Sequence, residues 1–190
     1  LELGGKSPNI VLADAPDLGY AAKAACFGIF FNQGEICNAG SRLLVQESIK
    51  DEFMELMTKA AARHVPGEPL DPGTQMGAIV DQGQMDKVLY YIGEGQNEGA
   101  NLLYGGNRVR EETGGYYIEP TIFDNVSNDM KIAQEEIFGP VLSVITFKDV
   151  DEAITIANDT IFGLASAVWT SNLATAHKTA RAIKAGTVWI

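Results

Sequence analysis

The order of apolar runs and helix-spaced segments constrains this chain more than any other feature. Val141-Leu142-Ser143-Val144-Ile145-Thr146-Phe147 is a near-continuous apolar run of strand length, and Asp149 to Asn158 follows it directly with helical spacing. The same alternation recurs along the chain. Asn9 to Ala13 reads as a short buried strand, Asp17 to Asn32 as a helix with an apolar face that ends near Gly34, and Leu43-Leu44-Val45 as a strand. Ser48 is then placed to cap a helix whose Ile49, Phe53, Leu56, Met57 and Ala60 recur on one face, stopping before Pro66-Gly67. Pro66 to Gly77 reads as a surface loop and Asp81 to Gly99 as a polar helix. Ala100 to Tyr104 is the next strand, and the charged, glycine-rich Gly105 to Gly115 an exposed, hairpin-like turn before a strand over Tyr116 to Phe123. A strand over Ala165 to Thr170, a helix over Leu173 to Lys184 and a buried strand over Thr187 to Ile190 complete the pattern. Strands separated by helices of this length need crossover connections, so the expected fold class is α/β, a largely parallel open sheet with helices on both faces.

Composition narrows the function. With 190 residues and 46% hydrophobic content the chain can bury a core of its own, as one domain or one lobe of a larger protein. The net charge of −11 argues against nucleic acid or anionic membrane as partner, since both need clustered Lys and Arg. No run of eighteen apolar residues exists, and Leu1-Glu2-Leu3-Gly4-Gly5-Lys6 lacks the layout of a signal peptide, so a cytoplasmic protein is expected. Two cysteines and two histidines, without zinc-like spacing, predict neither a disulfide framework nor a metal site. The missing initiator Met and the apolar last run suggest a piece of a longer protein.

The two cysteines sit in different chemical settings. Cys26 lies within Ala24-Ala25-Cys26-Phe27, an apolar helical stripe, as a packing thiol would. Cys37 lies in Asn32-Gln33-Gly34-Glu35-Ile36-Cys37-Asn38-Ala39-Gly40-Ser41-Arg42, among small and polar residues with glycines that leave room for a substrate. Cys37 is therefore the candidate nucleophile. An unperturbed thiol has a pKa of about 8.5, so its surroundings must favour the anion for it to react at neutral pH. His64 and His177 match no position that would serve a cysteine hydrolase, which needs an imidazole within reach of the thiol.

Three segments together resemble the aldehyde dehydrogenase superfamily: Leu1-Glu2-Leu3-Gly4-Gly5-Lys6-Ser7-Pro8-Asn9, Gln33-Gly34-Glu35-Ile36-Cys37, and Gln134-Glu135-Glu136-Ile137-Phe138-Gly139-Pro140-Val141. Their order and spacing fit, and Asn158-Asp159, Phe162-Gly163-Leu164 and Ala185-Gly186-Thr187-Val188 extend the resemblance over nearly the whole chain. The residues around Cys37 are similar to those of enzymes acting on amino- or γ-glutamylamino-aldehydes of polyamine breakdown.

The resemblance implies a function and a set of roles. It implies NAD- or NADP-dependent oxidation of a small-molecule aldehyde to a carboxylic acid, with Cys37 forming a thiohemiacetal and then a thioester. Glu2 matches the general base that activates the deacylating water; Glu136 and Phe138 match contacts to the nicotinamide ribose and ring; Gly5 would let backbone approach the cofactor. The Cys37 N–H is one of the family's oxyanion donors, and its second, an asparagine, is expected upstream of this chain. Residues 1–190 would thus be the thiol-bearing catalytic domain of a homodimer or homotetramer, without its dinucleotide-binding domain and C-terminal oligomerisation segment, and inactive alone. Two alternatives stay open: transfer of the acyl group to coenzyme A, and a binding or assembly domain with an inert thiol. Lys6 and Arg42 are left to the surface.

Overall fold

The structure, a computed structural model, describes residues 3–190. Its elements in chain order are β1 (Pro8–Val11), α1 (Leu18–Phe30), β2 (Arg42–Gln46), α2 (Lys50–Ala61), α3 (Gln82–Asn97) and β3 (Asn101–Tyr104). There follow β4 (Arg108–Val109), β5 (Tyr117–Ile118), β6 (Thr121–Asp124), α4 (Lys131–Gln134), β7 (Val141–Phe147), α5 (Val150–Asn158), β8 (Ala165–Trp169), α6 (Leu173–Ala182) and β9 (Thr187–Trp189). The main sheet runs β3-β6-β7-β2-β1-β8-β9, and β4-β5 form a separate two-stranded ribbon. Every pairing in the main sheet is parallel except β3 with β6.

Strand alternation divides the core between the two faces. On β2, Leu43 and Val45 join Val11, Leu142 and Val144 under α1 and α2, whereas Leu44 joins Ile10, Leu12 and Phe147 under α5 and α6. A third cluster packs Val141, Ile145 and Phe123 against α3 and α4. The strands are buried on both sides, which is why they read as continuous apolar runs. Small residues on α1, among them Ala21, Ala22 and Ala25, let it approach α2, and truncating its fully buried Phe30 would cost roughly 3–5 kcal/mol.

Helix starts follow the expected capping chemistry. The side chains of Asp17, Asp81, Asp149 and Asn172 accept from backbone N–H groups in the first turns of α1, α3, α5 and α6. Ser48 does not cap: it lies in a single 3-10 turn, Glu47–Ile49, and α2 starts at Lys50 with Asp51 and Glu52 in its first turn to complement the helix dipole.

Two strand expectations change. Tyr116 to Phe123 divides into β5 on the ribbon and β6 in the main sheet, because Pro120 between them has no N–H to give a ladder. Among the described residues the final strand β9 is an edge, paired only with β8, and Trp189 is half exposed there rather than buried. The short α4 was not anticipated, since four residues carry no periodic signal. Among the described residues, no helix is long and apolar enough to cross a membrane.

Candidate active site

The thiol-bearing loop begins where α1 stops. Asn32, Gln33 and Gly34 all have left-handed backbones, with φ of 49°, 59° and 75°, and this run turns the chain sharply away from the helix axis. Only glycine fits the third position, because a Cβ on Gly34 would lie 2.2 Å from the carbonyl oxygen of Gly139. The strained turn is pinned by its own side chains. Asn32 Nδ2 donates to the Glu35 carbonyl at 3.0 Å, Gln33 Oε1 accepts from the Gly77 N–H at 2.9 Å, and Glu35 Oε1 accepts from the Val80 N–H at 3.1 Å. Burial raises the Glu35 pKa, against the lowering by its Val80 and Gln33 bonds.

Cys37 follows in a half-buried turn. Downstream, Gly40 donates to the Gly28 carbonyl and Ser41 accepts from Ser143, which seats the loop on the end of β7. The Cys37 N–H makes no hydrogen bond to any described residue, so it can serve an incoming oxygen. Cys26 differs in every respect: it is fully buried against Met57, and desolvation pushes its thiol up to about 12.

A second loop, Glu135 to Gly139, is gripped by one ridge of α3. Gln84 Nε2 donates to the carbonyls of Ile137 at 2.9 Å and Phe138 at 2.6 Å, Val88 packs against Gly139, and the Tyr91 hydroxyl donates to Glu135 Oε2 at 2.6 Å. The 84, 88, 91 spacing places all three on one helix face. Phe138 is a non-glycine residue at φ 59°, a strained position held by the two Gln84 bonds. Glu135 is therefore spent on Tyr91, and Glu136 points elsewhere.

Gly5 joins the two loops. Its N–H donates to Glu136 Oε1 at 2.9 Å, and a Cβ on it would lie only 2.1 Å from the Cys37 carbonyl oxygen. The glycine thus packs on the thiol-bearing loop and orients the carboxylate at the same time. Its closest constraint is the Cys37 backbone, which explains the residue without invoking cofactor approach. Gly4, at φ 71°, leaves the other side of the carboxylate open, since a Cβ there would lie 3.2 Å from Glu136 Oε2. One oxygen of Glu136 is fixed and the other faces a cradle that a side chain would fill. Together with the half-exposed ring of Phe138, this donor set fits the ribose and flat ring of a nicotinamide cofactor. Glu2, the expected general base, lies outside the described residues. Among the described residues no group of His, Cys, Asp and Glu could hold a metal ion.

Lys6 and Arg42 are not surface residues. Lys6 is 1% exposed, and its Nζ has no hydrogen-bond partner among the described residues. Desolvation, with the Arg42 charge next, pulls its ammonium down to about 7, while Glu136 and Glu135 pull the other way. Arg42, at 0% exposure, has its guanidinium surrounded by oxygens. Nothing in either residue's sequence context distinguishes it from a solvated cation, because its partners lie far away along the chain. The histidines serve elsewhere: the His64 ring contacts the Ala60 carbonyl and the Phe30 ring, burial lowers its pKa, and His177 is exposed on α6.

A largely apolar cavity of about 390 Å³ opens beside the thiol loop, lined by Phe27, Phe31, Ile36, Asn38, Trp169 and Trp189 among others. It reaches the residues on either side of Cys37. Phe27 and Phe31 were legible only as part of an apolar helix; both are exposed and their rings lie 5.0 Å apart.

Against known proteins, the sequence model described as the aldehyde dehydrogenase family matches residues 1–190. The chain belongs to the aldehyde dehydrogenase family. Its fold is likewise that of solved family members. The aldehyde dehydrogenase KauB from Pseudomonas aeruginosa is 65% identical with a TM-score of 0.98, and the chain is covered fully against 38% of that protein. Gamma-glutamyl-gamma-aminobutyraldehyde dehydrogenase from Burkholderia cenocepacia is 62% identical, TM-score 0.97, with the same coverages of 100% and 38%. The indole-3-acetaldehyde dehydrogenase AldA of P. syringae, solved with NAD+, is 62% identical with a TM-score of 0.98, again over 100% of this chain and 38% of its own. The chain also spans between 36% and 40% of the length of the curated relatives it matches. The motifs that carried the resemblance thus lie in a chain that matches the family from end to end.

Proposed function

We propose that residues 1–190 are the thiol-bearing catalytic domain of an enzyme that oxidises an aldehyde to a carboxylic acid with NAD or NADP. The observation that carries this reading is Gly5, which donates to the Glu136 carboxylate and packs tightly on the Cys37 backbone. Family membership supplies the chemistry that such a pairing suits. Cys37 Sγ, as thiolate, attacks the aldehyde carbon; a C–S bond forms and the carbonyl electron pair moves to oxygen. The Cys37 N–H, without a partner among the described residues, donates to that oxyanion. Glu136 would accept from the ribose hydroxyls of a bound cofactor through the oxygen that Gly5 leaves available, and Phe138 would pack on its flat ring. A nicotinamide ring held there would supply the acceptor for the hydride that leaves the former carbonyl carbon. Glu2 takes a proton from a water that adds to the thioester; Cys37 departs as thiolate and the acid is released.

The apolar cavity beside Cys37 suits the body of the substrate. Among aldehydes, γ-aminobutyraldehyde and its γ-glutamyl conjugate are the first candidates, on the motif resemblance and the likeness to the Burkholderia enzyme. A cytoplasmic location, a role in polyamine breakdown and a dimeric or tetrameric parent belong to the same reading. Turnover is assigned to the full-length protein. The remaining three-fifths of the related enzymes' length would carry the dinucleotide-binding domain and the oligomerisation segment, so the 190 residues alone would bind cofactor weakly and be inactive.

The test is NADH and NADPH formation by the full-length protein against an aldehyde panel, beside Cys37→Ala. Reduction by the wild type alone supports the reading. Silence of both proteins across the panel and both cofactors overturns it. Acyl-CoA formation in place of free acid would overturn the hydrolytic step and the role of Glu2.

A further inference from the structure

Three segments carry the site, and one buried guanidinium touches the frame of all three. Arg42 opens β2 five residues after Cys37. Its Nε donates to the Lys6 carbonyl at 3.1 Å, next to the Gly5 that bonds Glu136 and packs on the Cys37 backbone. Its Nη1 donates to Asn128 Oδ1 at 2.8 Å and to the Ile156 carbonyl at 3.0 Å, and its Nη2 to the Ala157 carbonyl at 2.8 Å. Asn128 extends the network: its Nδ2 donates to the backbone carbonyl and Oδ2 of Asp159 at 3.0 Å and 2.9 Å. Gln134, the residue before Glu135-Glu136, donates through its side-chain amide to the Asn128 and Asp159 carbonyls. The last-turn carbonyls of α5 also favour a cation at that place.

We propose that Arg42 is a positioning residue for aldehyde oxidation: its fork sets the Gly4–Lys6 segment against the Asn128–Gln134 segment and so fixes the thiol relative to the cofactor-binding carboxylate. Elsewhere in the molecule a buried cation with these partners would be a stabilising clamp. Here both ends of the clamp lead into the site within a few residues, Lys6 to Gly5 and Gln134 to Glu136. The geometry demands arginine. Nε and the two Nη nitrogens bond in different directions within one rigid plane, whereas a lysine presents all its donors from a single atom at the chain end and cannot hold the Lys6 carbonyl and the α5 carbonyls together. The inference rests on the aldehyde-oxidation reading.

The experiment uses the full-length protein and two variants, Arg42→Lys and Asn128→Ala. For each it measures kcat and cofactor KM per titrated thiol, the rate at which iodoacetamide alkylates Cys37 without substrate, and the melting temperature. Misplacement by about 1 Å can cost 10²-fold in rate, so Arg42→Lys is expected to lower kcat about 10- to 100-fold per folded site and to change Cys37 alkylation at least about fivefold. Asn128→Ala removes the Arg42 Nη1 bond to Asn128 Oδ1 and the two Asn128 Nδ2 bonds to Asp159 but keeps the Arg42 bonds to the Lys6, Ile156 and Ala157 carbonyls. It therefore loosens the side that leads to Glu136 and should raise cofactor KM about tenfold while kcat changes less than about threefold. The proposal is overturned if both variants melt earlier but keep kcat, cofactor KM and alkylation rate within about twofold of wild type, the pattern of a clamp that stabilises without positioning. If Arg42→Lys does not fold, Asn128→Ala decides alone on cofactor KM. If the wild-type protein oxidises no aldehyde, the functional reading has failed by itself, and the Cys37 alkylation rates still decide whether Arg42 positions the thiol.

Discussion

Replacing Gly5 with alanine adds a single methyl group at the point where the two halves of the site meet. The new Cβ would lie 2.1 Å from the Cys37 carbonyl oxygen, where real contacts stay beyond 3.0 Å, so one side must yield by about 0.9 Å. The Gly5 side is held by its bond to Glu136 and by the Arg42 bond to Lys6, and the Cys37 side by the Gly40 and Ser41 bonds to α1 and β7. Neither can move without carrying Glu136 or Cys37 with it. A displacement near 1 Å corresponds to a loss of about 10²-fold in rate, or roughly 2.7 kcal/mol of transition-state stabilisation. The assay is steady-state NADH formation by full-length Gly5→Ala, with the thiol titrated and the melting temperature recorded, so that lost activity is separated from lost protein. The expected result is a fall of about two orders of magnitude in kcat per titrated thiol. A folded variant with kcat within about threefold of wild type would refute the claim that Gly5 sets the thiol's position.

The remaining predictions concern the buried charge and the strained turn. Lys6→Met should stabilise the protein at pH 7, because the folded state holds this amine near pKa 7 against 10.5 when unfolded. At 1.36 kcal/mol per unit the cost removed is about 4 kcal/mol at pH 7. In the wild type this penalty is fully present below the folded pKa and fades as pH rises towards 10.5, so the gain in melting temperature should shrink between pH 7 and pH 10; a gain independent of pH would contradict it. Gly34→Ala meets both a left-handed φ of 75° and the Gly139 carbonyl at 2.2 Å, so thermal or denaturant unfolding should show a loss of more than about 2 kcal/mol. Unchanged stability would mean that the turn relaxes freely.

How much of this was legible in the sequence depended on the range of the interaction. The strand over Val141–Phe147 and the helices beginning at Asp17, Asp81 and Asp149 are local signals, and each appears where its residues point. The division of Tyr116 to Phe123 also has a local cause, the missing N–H of Pro120, though the residues around it read as one strand. The site was legible only in part. Cys37 stood out by its setting and Glu136 by its motif, but what relates them is Gly5, packed on the Cys37 backbone and bonded to Glu136 across 131 positions, and nothing in the motif predicts that bond. Burial of Lys6 and Arg42 was invisible for the opposite reason: isolated basic residues are almost always solvated, and the oxygens that surround Arg42 come from positions 6, 128, 156 and 157.

The central claim is that Cys37 carries the acyl group. The measurement that tests it most directly is the mass of the full-length Glu2→Gln protein, quenched during reaction with aldehyde and NAD and then mapped by peptide. Without its base the thioester should accumulate, so the account predicts an adduct on the Cys37 peptide equal to the aldehyde's mass less two hydrogens, absent when NAD is omitted. Aldehyde oxidation without that adduct, or with the label on any other residue, would contradict it.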